Sequence, residues 1–167
     1  MTLPPATLWI DPGKMTGLAL YNRGERETIA DERAFLAAAA AIEQTCGWWG
    51  RRLWVGWEHF YIGPKTPSAD AHYAIEMIGV ARMWALRFHC VILPHAAPGD
   101  RNVATQKMLE ALGWWRPGKD DAQSAAQHLL AFMMRTGNLP PKETGILAAL
   151  RHQGEDTCHS TRNNGTT

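Results

Sequence analysis

A chain of 167 residues, 46% hydrophobic and 20% charged, is long enough for one globular core and too apolar for wholesale disorder. Its 17 Lys and Arg against 16 Asp and Glu exclude a polybasic protein that binds through net charge, though not a local basic face. Cys46, Cys90 and Cys158 form neither a CxxC pair nor a disulfide framework, and read as buried or incidental thiols in a reducing compartment. No stretch reaches the roughly 18–20 apolar residues that span a bilayer. Residues 1–6 lack the basic-then-apolar pattern of a secretory signal, which points to the cytoplasm.

In chain order, Thr7–Asp11 (TLWID) predicts a short strand stopped by the turn pair Pro12–Gly13. Gly17–Tyr21 predicts a second strand, close enough to form a hairpin with the first, and Arg26–Ala30 a third. Alanine-rich Glu32–Thr45 predicts a helix ending near Gly47, and Leu53–Glu58 (LWVGWE) the next strand. After a polar loop, His59–Ser68, the apolar period of Ala71, Ala74, Ile75, Ile78, Ala81, Ala85 and Leu86 predicts a long helix over Ala69–Phe88. Cys90–Leu93 predicts a buried strand, Ala104–Leu112 a short helix, and Asp120–Arg135 the last strongly patterned helix. Residues 1–137 read as one domain and 138–167 as an extension, with a weak helix at Glu143–His152 and a disordered end. Strands interleaved with helices make an α/β domain with a mixed five-stranded sheet. The tryptophan pairs Trp48–Trp49 and Trp114–Trp115 read as packing, before base stacking, among eight tryptophans in all.

Asp11 ends an apolar strand in a good turn sequence, Asp-Pro-Gly, and a turn role alone would explain it. Alternation, however, puts Trp9 and Asp11 on one face at the strand's C-terminal end, where sheet-based sites gather. Glu58 repeats the arrangement, sharing a face with Trp54 and Gly56. If the two strands are parallel neighbours, their terminal carboxylates lie close and need a cation to be tolerated. Asp120 and Asp121 open a helix, where capping explains one and leaves the other for chemistry. Ser124 and His128 follow Asp121 on the same helical face. An all-oxygen set of this kind suits two Mg²⁺ ions, with Mn²⁺ substituting, and such a pair serves phosphodiester hydrolysis.

Leu8–Leu20 (LWIDPGKMTGLAL), Leu53–His59 (LWVGWEH), the helix around Met77–Leu86 and Lys119–Leu130 (KDDAQSAAQHLL) resemble, in order and spacing, RuvC-type Holliday junction resolvases, the shorter bacteriophage-encoded forms above all. The resemblance covers roughly residues 7–135. It implies an RNase H-like fold, a homodimer joined through the long helix, and Mg²⁺-dependent symmetric nicking of four-way DNA junctions. For a phage protein it implies the host cytoplasm. It carries the metal-ligand role to Asp11, Glu58 and Asp121. The family's second helix acid falls at Ser124 here, leaving Asp120, or His128 as ligand or general base, to take its place.

Between Arg82 and Lys119 six basic residues (Arg82, Arg87, Arg101, Lys107, Arg116, Lys119) face two acids, a balance suited to phosphate contacts or to a solvated helix face. Lys14, three residues after Asp11, and Phe60, Tyr61 and Lys65 in the loop after Glu58, complete the candidate DNA contacts. GWWRPGKD at 113–120 follows a helix and has Asp120 where a phosphate-binding loop needs Ser or Thr, so no nucleotide cofactor is expected. Two alternatives stay open: a nucleic-acid-binding module with impaired catalysis, suggested by Ser124, and a nuclease acting on forks, flaps or RNA–DNA hybrids.

Overall fold

The computed structural model describes residues 5–24, 27–58, 68–93 and 103–160. Five strands, β1 (Ala6–Asp11), β2 (Met15–Asn22), β3 (Glu27–Ala34), β4 (Leu53–Trp57) and β5 (Val91–Ile92), form one sheet in the order β3-β2-β1-β4-β5. The β1–β2 and β2–β3 pairs are antiparallel and the β1–β4 and β4–β5 pairs parallel, the mixed sheet expected. β1 lies at the centre, and its first five residues are buried, as a strand covered on both faces must be. β3 lies at an edge and carries Asp31, Glu32 and Arg33, charges that blunt an exposed ladder.

Helices α1 (Phe35–Trp49) and α2 (Ser68–Arg87) share a core with Leu8, Ile10, Leu18, Val55 and Trp57. On the opposite face α3 (Gln106–Leu112), α4 (Asp120–Arg135) and α5 (Pro141–Ser160) pack with Trp9, Ala19, Tyr21 and Ala30. The result is a three-layer α/β/α sandwich in which alternate residues of one strand serve different cores. α3 is capped by the Thr105 hydroxyl, which accepts from the Met108 N–H, and ends at Gly113 in the left-handed conformation.

Several boundaries differ from the sequence expectation: β5 keeps only Val91–Ile92 of the buried strand expected over Cys90–Leu93, with Val91 exposed, and two other differences bear on the site and the core. Glu32–Ala34 begins no helix; these residues extend β3 and pair with Gly17, Thr16 and Met15, because a ladder beside β2 outweighs their helical propensity. α5 runs over Pro141–Ser160, longer than the Glu143–His152 helix expected, and Leu139 and Leu147 join the α4-side core. Cys46 and Cys90 are free and buried as expected, and burial, reinforced by the neighbouring Cys90, pushes the Cys46 thiol up. No helix among the described residues is long and apolar enough to cross a membrane.

Candidate active site

The parallel register of β1 and β4 pairs Ile10 with Trp57, so Asp11 and Glu58 leave adjacent strand ends together. The Glu58 N–H donates to the Ile10 carbonyl at 3.1 Å, continuing the ladder one residue past the strand. Both side chains project to the α4 face. Trp54, four residues before Glu58 on the same face, meets Phe132 with ring centroids 6.3 Å apart, and Trp9, two residues before Asp11, meets the same ring at 5.6 Å.

α4 supplies the third acid. Opposite Asp11 on β2 stands Gly17, and a Cβ there would run into the Asp121 backbone carbonyl. The missing side chain is what lets the first turn of α4 settle onto the sheet beside Asp11. Asp121 is half-buried, whereas Asp120, one residue round the helix, is exposed. Lys119, just before the helix, forms an ion pair with Asp31 of β3, and Arg33 holds the same carboxylate at 3.3 Å. The Lys119 hydrogen bond holds the Asp31 carboxyl below its ordinary value, although partial burial opposes the shift. This clip fastens the start of α4 to the sheet edge.

Ser124 and His128 face inward, 7% and 1% exposed, and the Ser124 hydroxyl makes no hydrogen bond among the described residues. His128 Nε2 lies 3.4 Å from Glu58 Oε2, and its ring stacks on Trp9 at 6.2 Å and 17°. Trp9 can lie there because β4 offers Gly56, where a Cβ would come within 2.5 Å of the indole. A further acid went unremarked in the sequence. Glu32 pairs with Gly17, which pairs with Asp11, so Glu58, Asp11, Gly17 and Glu32 stand in one row across four strands. The signal was masked because Glu32 reads locally as the start of a helix.

The donors are hard carboxylate oxygens, joined by an orphaned buried hydroxyl at Ser124, and that chemistry fits Mg²⁺ or Mn²⁺. As the side chains stand, no group of three or more His, Cys, Asp and Glu among the described residues could hold a metal ion. The backbone brings the three carriers together without closing their carboxylates into a cage.

Of the basic candidates, Lys14 and Lys107 are exposed. Arg116 is exposed and donates to the Gly113 and Trp115 carbonyls at 3.3 and 3.4 Å, which stiffens the turn before α4. Arg87 lies over Trp84, 5.7 Å from the ring centroid. Phe60, Tyr61, Lys65 and Arg101 lie outside the described residues.

No protein-family model matches the chain, and no curated protein sequence matches it. Solved structures do. A Thermus thermophilus RuvC structure in complex with Holliday junction substrate superposes with a TM-score of 0.61 at 14% identity, over 79% of this chain and 96% of that one. A second Thermus thermophilus RuvC structure gives 0.55 at 16% identity over the same shares. The fold is the RNase H-like fold of RuvC, as the sequence resemblance implied.

Proposed function

We propose that the protein is a divalent-cation-dependent DNA endonuclease that resolves four-way junctions by paired symmetric nicks. The observation that carries this reading is the row of the sheet in which Asp11 and Glu58 end adjacent parallel strands while Gly17 admits Asp121 beside them. The likeness in fold to a RuvC solved with Holliday junction substrate supports the choice of DNA substrate.

In this reading Asp11, Glu58 and Asp121 hold two Mg²⁺ ions, or Mn²⁺ in their place. When bound, such a pair supplies a hydroxide nucleophile near neutral pH and stabilises the leaving oxygen of a phosphodiester. The chain's part is to fix the backbones that carry them, Asp11 and Glu58 at adjacent strand ends and Asp121 on the first turn of α4, so that only side-chain rotation is left for the carboxylates to converge. Three carboxylates converging there would repel each other, and a bound cation would relieve that repulsion. For the fourth oxygen donor, Asp120 is the residue the sequence favours, and the cross-strand register adds Glu32. Magnesium titrations of nicking by Asp120→Asn and Glu32→Gln decide between them, the true donor shifting the half-saturating concentration upward.

Lys14, Lys107, Arg116 and Lys119 would contact phosphates, and Phe60, Tyr61, Lys65 and Arg101 would extend that surface around the junction. A junction presents two symmetry-related strands, which a two-fold dimer matches. The proposed dimer face is α2, where Ile75, Met83 and Leu86 are 51%, 50% and 59% exposed in one helical stripe. Ile75→Lys together with Met83→Lys should convert a dimer to a monomer on gel filtration. We place the protein in the cytoplasm, the host's if phage-encoded. The deciding experiment incubates the wild-type chain and a labelled four-way junction with Mg²⁺, then with Ca²⁺. Symmetric nicks with Mg²⁺ alone are expected. Binding without cleavage in either would favour the impaired-module reading that Ser124 suggests, and equal cleavage of forks or flaps would widen the substrate.

A further inference from the structure

We infer that His128 is a positioning residue for Glu58, fixing the carboxylate through one oxygen so that the other is presented to the cation site; this rests on the nuclease reading above. His128 is 1% exposed in the middle of α4, too deep to meet a DNA strand as acid or base. Its Nε2 lies 3.4 Å from Glu58 Oε2, within reach of a hydrogen bond, and because an ionised carboxylate only accepts, the positioning role is one in which that nitrogen donates. A nitrogen that donates has no lone pair to offer a metal.

The ring is held in place by its surroundings. Trp9 lies nearly parallel to it, with 17° between planes, and Trp9 is itself seated on Gly56 and against Phe132. Glu58 has a longer side chain than Asp11 and sits at a strand end, with more torsional freedom to lose on binding a cation. A fixed donor removes part of that freedom beforehand, and hydrogen-bonded partners of ligating carboxylates commonly matter about 10–100-fold in metal affinity or activity. Both ends of this contact were singled out in the sequence, but 70 positions separate them and no spacing rule joins them.

The test compares wild type, His128→Phe and His128→Gln as full-length chains. Phenylalanine keeps the ring on Trp9 without a donor, and glutamine restores an N–H at similar reach. Mn²⁺ binding is measured without DNA from the paramagnetic resonance of the free ion, beside nicking at limiting and saturating Mn²⁺. Expected are an affinity about 10–100-fold weaker in His128→Phe, nicking recovered at saturating metal, and near-wild-type binding in His128→Gln. Wild-type affinity in His128→Phe would overturn the inference. So would an equal loss in both variants when both melt as cooperatively as wild type. Should a variant not fold, ¹⁵N resonances of the wild-type imidazole decide: hydrogen on Nε2 supports the positioning role, and a bare Nε2 overturns it. A wild-type chain that binds no Mn²⁺ would defeat the nuclease reading itself, and this inference with it.

Discussion

Leu8 and Ile10 on one face of β1 share a core with Ile42, Met77 and Ala81, whereas Trp9 on the other face meets His128 and Phe132, and Gly17, the cross-strand partner of Asp11, meets the backbone of Asp121. The first face is filled around Trp57 mainly by aliphatic volume, for which shape can be met in several ways. The second is built from flat rings, two glycines that admit close approach, and carboxylates at its rim. Alternation along a single strand thus separates the residues that hold the fold from those that would do chemistry. Damage to the first face should appear as lost stability, and damage to the second as lost function in a folded protein.

That contrast is broken most directly at the rim. Asp11→Asn or Glu58→Gln should lower junction nicking on the order of a thousandfold, the scale of losing several kcal/mol of charge stabilisation. Junction affinity and melting temperature should stay close to wild type, checked by gel shift and calorimetry. Variants that lose nicking only because they unfold would erase the distinction. Ile42→Ala, in the aliphatic core, should cost about 2–5 kcal/mol in urea denaturation. Its nicking rate, measured well below the midpoint, should match wild type.

Gly56→Ala sharpens the comparison, because it overpacks the aromatic face without touching a carboxylate. We expect about 1–3 kcal/mol of destabilisation, together with slower nicking as the displaced Trp9 ring disturbs His128. The smallest effect belongs to the clip at the sheet edge. Lys119 and Asp31 are 44% and 33% exposed, so Asp31→Asn should cost under about 1 kcal/mol at neutral pH. The Asp31 carboxyl is depressed in the folded state below its ordinary 3.8, so its stabilisation is full above that pH and vanishes as pH falls through the folded value. Melting curves of wild type and Asp31→Asn should therefore converge in acid and separate above it.

Much of this was legible from local pattern. The alternation of LWID and LWVGWE put Asp11 with Trp9 and Glu58 with Trp54 and Gly56 on common faces, as found. The helix expected over Asp120–Arg135 has those same ends, because paired aspartates suit its positive end and its apolar period is unbroken. Glu32–Ala34 misled, since a three-residue preference for helix cannot anticipate hydrogen bonds from a neighbouring strand. Gly17 read only as the start of a strand, and its use as a seat for α4 depends on a helix more than a hundred residues later.

From its order of residues alone, this chain determined which side chains share a strand face or a helix face, for those relations follow from the 2-residue and 3.6-residue periods of the backbone. The folded chain decided which faces meet. The parallel docking of β1 on β4, the descent of α4 onto Gly17, the Lys119–Asp31 clip and the contact of His128 with Glu58 join residues distant in sequence. Such pairings are chosen by packing the whole core at once, and no local period encodes them.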